Sequence, residues 1–230
     1  KGGKGDSFPH VFGAAWNPYG KSADGKAKDQ WAEFVTYGAK HVKLWRLYHS
    51  KQDGQPYYGK LGAPGAAEPG KFSPTSSPVD VVSACWLPPR GAHSAGAPVL
   101  ATGTREGHIL LWTTDKGLCC TRRLEAHGRG PTIPALSGGG VTHSGVRCLS
   151  LRADGETMVS GGGDGVVSWW SAATLTAAAR TPSVPCTPHE RRVLTGDDNA
   201  TPPCVRGLDC HKYSSDVIVG TYRCEIWEID

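Results

Sequence analysis

One phrase occurs four times in this chain, and it restricts the possible folds more than any other feature. It reads Phe34-Val-Thr-Tyr-Gly-Ala-Lys-His-Val-Lys-Leu-Trp45, then Leu100-Ala-Thr-Gly-Thr-Arg-Glu-Gly-His-Ile-Leu-Leu-Trp112. It returns as Met158-Val-Ser-Gly-Gly-Gly-Asp-Gly-Val-Val-Ser-Trp-Trp170 and as Val217-Ile-Val-Gly-Thr-Tyr-Arg-Cys-Glu-Ile-Trp227. Each copy is an apolar run, a Gly-containing turn with a polar residue, and a second apolar run ending in Trp. Two short apolar runs around a tight turn are the signature of a β-hairpin. Recurrence along the chain is the signature of a repeat architecture.

A second phrase precedes each hairpin: Val11–Gly20, Val82–Gly91, Val146–Gly155 and Val205–Ser214. Each is a strand followed by a turn rich in Pro, Gly, Asp or Asn. The matching positions Trp16, Trp86, Leu151 and Cys210 are expected on a buried face. A weaker strand is expected after each Trp, over Gly117–Leu124 and Ala172–Arg180 for example. Four strands per unit make the blade of a WD40-type β-propeller. The fold expectation is therefore all-β, a propeller segment of about four blades over residues 1–230. The blades run approximately 8–62, 79–124, 145–180 and 204–230, the last lacking its outer strand, and the segment reads as part of a larger propeller.

The closing Trp residues are 67, 58 and 57 residues apart, whereas a plain blade of this type needs about 40–45. The surplus falls in Gln52–Pro78, Gly128–Ser144 and Thr181–Pro203, which are rich in Gly, Pro, Ser or Thr and read as surface insertions. Composition agrees with many short strands: 31 Gly and 17 Pro stand against one Met and four Phe. No apolar run reaches the ~20 residues that cross a bilayer as a helix. The formal charge of +4 is mild, and the sequence pI of about 8.6 stays below the roughly 9 of a dedicated nucleic-acid domain; with no spanning run either, neither nucleic acid nor membrane is an expected partner. The eight Cys include no Cys-x-x-Cys and no zinc-ligand spacing. Cys85, Cys148, Cys204, Cys210 and Cys224 fall in predicted strands and read as small buried hydrophobes, so no metal and no cofactor is expected. Asn199-Ala-Thr201 matches a glycosylation acceptor and reads as chance.

Several stretches, taken in order, resemble the echinoderm microtubule-associated protein-like (EMAP-like) family. Phe34–Leu47 resembles its Phe-Val-Thr-x-Gly-x-x-His-x-x-x-Trp-x-Leu, followed by Gly59-Lys60. Leu100–Trp112 resembles its Thr-Gly-Asp-x-x-Gly-x-Ile-x-x-Trp, and Glu125-Ala-His127 its Gly-Ala-His. Leu151-Arg-Ala-Asp-Gly155 through Asp164, and Val205-Arg206 with Val217–Thr221, continue the match. The resemblance implies tandem atypical propellers, a non-catalytic role, and tubulin or microtubules as partner. A cytoplasmic, cytoskeletal setting, including that of a cilium, is also what the resemblance implies. The alternative is a general WD40 scaffold that recruits another protein.

Two groups of residues carry possible chemistry. Asp164, with His127 or His143, Ser160 and Trp169, matches the internal bonding set of a WD40 blade. The same set contains Ser, His and Asp, yet Asp164 lies in a turn four residues from Ser160 and no Gly-x-Ser-x-Gly is present. Gly161-Gly-Gly163 reads as hairpin-turn glycine, because no Gly-Lys-Ser/Thr follows it. The hairpin turns hold Lys40, His41, Arg105 and Arg223, and the insertions holding Arg129, Arg191 and Arg192 are expected on the same rim. These seven residues are the candidate partner-binding set, a partly basic rim able to meet an acidic surface such as the tubulin tails. The Lys21–Lys28 turn belongs to the opposite rim and reads as a solvated loop.

Overall fold

Short apolar runs about tight turns make each repeated phrase close on itself, and the flanking strands add to the hairpin edges. The first sheet comprises β1 (Val11–Trp16), β2 (Gln30–Gly38), β3 (His41–Gln52), β4 (Gln55–Tyr58) and β5 (Ala67–Pro69). Its order is β1-β2-β3-β4, with β5 also pairing β3. The second comprises β6 (Val81–Leu87), β7 (Val99–Thr104), β8 (His108–Thr113) and β9 (Cys119–Glu125), paired in that order. A small hairpin follows, β10 (Thr132–Pro134) with β11 (Gly140–Thr142). The third sheet comprises β12 (Val146–Leu151), β13 (Thr157–Gly162) and β14 (Val166–Ser171), then, beyond helix α1 (Ala172–Arg180), β15 (Glu190–Val193). The fourth comprises β16 (Val205–Cys210), β17 (Val217–Thr221) and β18 (Ile226–Ile229). All strand pairs within these sheets are antiparallel. This computed structural model describes residues 10–19, 30–52, 55–58, 67–72, 78–89, 97–115, 117–128, 132–134, 140–142, 145–181, 183–195 and 202–230.

The sheets stack face to face as blades, with the inner strands β1, β6, β12 and β16 side by side in chain order. Strand periodicity assigns the two faces of each blade to different neighbours. In the second blade Trp86, Leu100, Leu110 and Trp112 pack with Val35, Val42 and Leu44 of the first. Leu87, Val99, Ala101, Ile109 and Leu111 pack with Val146, Met158 and Trp170 of the third. On the third blade's other face, Val159, Val167 and Trp169 meet Val205, Val217, Val219 and Ile229 of the fourth. The all-β propeller segment expected from the repeats is the fold observed.

The structure corrects several details. Ala172–Arg180 is a helix, not a strand. Five of its nine residues are Ala, the strongest helix former, and the Ser171 hydroxyl caps its start by accepting from the Thr174 N–H. Leu175, Ala178 and Ala179 bury one face against the second and third blades. The outer strand of the third blade is instead β15, which lies inside the stretch read as an insertion. The other two stretches also contain strands: β4 and β5 on β3, and the β10–β11 hairpin. Phe72, just after β5, packs edge-on against Trp112 with ring centroids 5.0 Å apart.

Register corrects the fourth repeat. Trp45, Trp112 and Trp170 pair with Phe34, Leu100 and Met158, but the equivalent Val217 pairs with Ile229. Trp227 sits two residues earlier, opposite Val219. Of the four matched inner-strand positions, only Trp86 is buried. Leu151 and Cys210 are half-buried and Trp16 is 61% exposed, because it lies on the face of the first blade turned away from the second. Cys85, Cys148 and Cys210 lie in strands, while Cys204 precedes β16 and Cys224 occupies an exposed turn. All eight cysteines are free thiols, and burial pushes those of Cys85 and Cys148 up to about 12.

Candidate functional site

A chain of hydrogen bonds locks the second blade to the third at one end of the sheets. Trp170 Nε1 donates to Ser160 Oγ at 2.9 Å, and Ser160 Oγ lies 2.8 Å from His127 Nε2. The other ring nitrogen, Nδ1, lies 3.1 Å from Asp164 Oδ1. Asp164 also accepts from the Gly128 N–H at 2.7 Å and the Val166 N–H at 3.2 Å. These partners assign one tautomer: Nδ1–H donates to the carboxylate and Nε2 accepts from the serine hydroxyl. Burial pushes the Asp164 carboxyl upward, but the His127 contact and the two backbone donors outweigh it and hold the pKa below its ordinary value. The bonding set is therefore His127, Ser160, Asp164 and Trp170, with Trp170 in the place expected for Trp169. Strand alternation turns Trp169 to the opposite face, beneath the Arg192 guanidinium at 5.4 Å.

The connectivity Ser–His–Asp resembles that of a hydrolase, but Ser160 is 0% exposed and its oxygen already receives the indole N–H. A nucleophile needs an open approach to a carbonyl and an oxyanion hole beside it, so this set acts as a clamp. Gly162 belongs to the same device: a Cβ there would lie 2.2 Å from both His127 Nδ1 and Asp164 Oδ1. Gly161 is required by close approach as well, since its Cβ would meet Val205 Cγ1 at 2.5 Å. The positive φ of this turn falls instead on Gly165, at 76°. The first blade builds a shorter version: Trp45 Nε1 donates to Thr36 Oγ1 at 2.9 Å, and His41 Nε2 lies 2.9 Å from the same oxygen. Burial, then the neighbouring Lys43, lowers the His41 pKa.

The hairpin turns of all four blades share one rim with the starts of the inner strands. On it Lys40 is exposed and holds a left-handed φ of 51°. Arg105 pairs with Asp80 at 3.6 Å and stands over the Phe12 ring of the first blade at 5.7 Å. Arg223 is exposed in the turn of the fourth blade. Arg191 and Arg192 lie on β15, at the outer wall, rather than in a loop. Arg191 donates to the Ala126 carbonyl, and Arg192 pairs with Glu190 at 2.6 Å. Arg105 and Lys40 therefore share the rim with Arg223, while the Arg191–Arg192 pair braces the blade edge and His41 is turned inward. Arg129, His143, Gly59-Lys60, the Lys21–Lys28 turn and Asn199-Ala-Thr201 lie outside the described residues.

The structure adds residues that the sequence reading missed. All four inner strands break register at the same place: between Val11 and Gly13, Val81 and Ser83, Val146 and Cys148, and Val205 and Gly207. Such a bulge leaves one residue unpaired and re-aims its side chain. The bulged residues are Phe12, Val82, Arg147 and Arg206. The recurring Val-Arg at the start of two inner strands was the available signal. Among the described residues no group of three or more His, Cys, Asp or Glu could hold a metal, and no helix is long and apolar enough to cross a membrane.

No family model matches this chain, and no curated protein matches it. Among solved structures it is similar to Saccharomyces cerevisiae Sqt1, a WD40 protein, with a TM-score of 0.53 and 11% identity. The likeness covers 95% of this chain and 46% of that one, so the chain spans about half the length of this neighbour. At this identity the likeness carries the fold alone.

Proposed function

We propose that this chain is a non-catalytic protein-binding segment of a propeller, and that its partner is the tubulin surface of microtubules. The observation that carries the first part is the electrostatic state of the hairpin rim. Basic residues of the rim stand beside the exposed Glu106, while its other carboxylates have their oxygens engaged: Asp80 by Arg105, Asp164 by His127 and backbone amides, Glu225 by Thr221 and Trp227. Lys40, Arg105, Arg147, Arg206 and Arg223 give this mixed rim a slight excess of basic residues, beside the exposed Phe12. Basic side chains beside an aromatic anchor suit an acidic segment of a protein partner. The resemblance to EMAP-like proteins is what directs the reading to tubulin, whose tails are acidic.

The test is co-sedimentation with purified microtubules at low ionic strength, where exposed charges are least screened. Arg105→Glu together with Arg223→Glu is expected to weaken pelleting by about tenfold or more, the scale of a loss of rim complementarity. The melting temperature should stay close to that of the parent chain. Unchanged pelleting would refute the rim as the contact. Absence of pelleting in the parent chain would leave a scaffold for a different acidic protein.

A further inference from the structure

A cleft opens on this rim between the third and fourth blades. It has a volume of about 110 Å³ and is lined by Arg147, Cys204, Val205, Arg206 and Tyr222. Its two cations arrive by the same device, the bulges of β12 and β16. Arg206 lies against the Tyr222 ring, 6.0 Å from its centroid. Arg147 is half-buried, and among the described residues no carboxylate lies within ion-pair distance of it or of Arg206. Asp164, the nearby acid that also acts electrostatically on Cys204, has its oxygens bound to His127, Gly128 and Val166 and forms no ion pair with either arginine. Two guanidinium groups lining one cleft attract an anion that can sit between them. Guanidinium forks match the paired oxygens of a carboxylate or phosphoryl group.

We propose that this cleft seats an anionic side-chain group of an extended peptide, with Arg147 and Arg206 holding its oxygens and Tyr222 and Val205 flanking its stem. The volume suits one side chain. The peptide continues along the rim, where the remaining bulge residues, Val82 and the 45% exposed Phe12, offer apolar contact instead of charge. The site thus reads an acidic residue at one end of a segment and an apolar residue at the other. This inference rests on the protein-binding reading above, but not on tubulin being the partner.

Fluorescence anisotropy of the 230-residue chain with a fluorescein-labelled hexaglutamate peptide tests it. The glutamine counterpart and a phosphoserine peptide serve as further arms. The glutamate peptide is expected to bind and the glutamine peptide not to. Arg147→Ala and Arg206→Ala should each weaken binding by about tenfold, as loss of a charge-assisted anchor does. Arg206 is exposed, so its variant keeps the fold even if the half-buried Arg147 variant does not. Arg123→Ala, on the outer strand β9, should leave binding within about twofold, the effect of a remote exposed change. Tighter binding of the phosphoserine peptide, lost in the same variants, would assign the cleft to phosphoryl oxygens. Equal binding of the glutamine peptide, or indifference to both arginine variants, overturns the proposal. Microtubule pelleting in parallel separates the two readings. Peptide binding without pelleting retires tubulin and keeps the cleft. Pelleting that survives while the parent chain ignores the acidic peptides retires the cleft and keeps tubulin.

Discussion

Asp164 shows how one residue can look catalytic and be structural. Its carboxylate holds the His127 ring, the Gly128 amide and the Val166 amide, and through His127 it orders Ser160 and Trp170. Asp164→Ala removes a charged acceptor and leaves a buried imidazole N–H unsatisfied. The expected cost at neutral pH is about 2–3 kcal/mol, in the range for hydrogen bonds to a charged group. The sign of the pH dependence follows from the depressed pKa. A carboxylate held below its unfolded value stabilises the fold above that value, about 3.9, and loses the contribution as pH falls through the folded one. The stability gap between parent and variant, measured by urea unfolding, should therefore be full at pH 7 and narrow below about pH 4. A gap that widens on acidification would contradict this account. The clamp was half legible in sequence. His, Ser and Asp stood at the right places in the repeat, but the identity of the Trp depends on which face each residue of Trp169-Trp170 presents. That is settled by the register Met158↔Trp170, not by composition.

Among the hairpins, equivalent turns expose a local mismatch. The position four residues after Gly103, Gly161 and Gly220 takes a left-handed backbone each time. It is Gly107 at φ 97°, Gly165 at φ 76° and, in the fourth blade, Cys224 at φ 63°. A side chain in that region costs roughly 1–2 kcal/mol, partly offset by the greater unfolded-state freedom of glycine. Cys224→Gly should accordingly raise stability by up to about 1 kcal/mol, seen as a thermal shift of about 2–4 °C for a chain of this size. Gly107→Ala should act in the opposite direction, since its Cβ would also lie 2.0 Å from the His127 carbonyl oxygen. The hairpins themselves were legible because two short apolar runs around a glycine-containing turn are a local signal. The outer strands were not. β5 and β15 are short, and each forms because β3 or β14 offers an unpaired edge to it. Helix α1 was misread for a related reason. Its position after Trp170 suggested a strand, while its alanine content and Ser171 cap pointed to the helix that forms.

For the whole molecule, the unit of cohesion is the seam between blades, since in a repeat fold each unit contacts only its neighbours. The glycines at one position of the second strand show how tight these seams are. A Cβ on Gly103 would meet Val146 Cβ at 2.6 Å and Ser83 Oγ at 2.3 Å; one on Gly161 would meet Val205 Cγ1 at 2.5 Å and Cys148 Sγ at 2.8 Å. The equivalent Gly220 has only the Gly207 carbonyl oxygen at 4.0 Å, because its face carries no sheet among the described residues. The exposed Ile218 and the 81% exposed Ile226 lie on that fourth blade. At the other end, Trp16 and Phe34, with centroids 5.2 Å apart, repeat the register that Trp86 and Leu100 bury against a neighbour. Chemically identical substitutions should therefore differ by position alone. Gly161→Val overpacks the seam between the third and fourth blades and is expected to cost about 1–3 kcal/mol. Gly220→Val should stay within about 0.5 kcal/mol, as surface substitutions do. Hydrogen exchange adds the spatial test. In the Gly161 variant, protection should fall across β16–β18 while β6–β9 keep theirs, because coupling passes only through shared seams. Uniform loss of protection over all four blades would mean that the segment unfolds as one body, and the seam would then not be the unit that holds it.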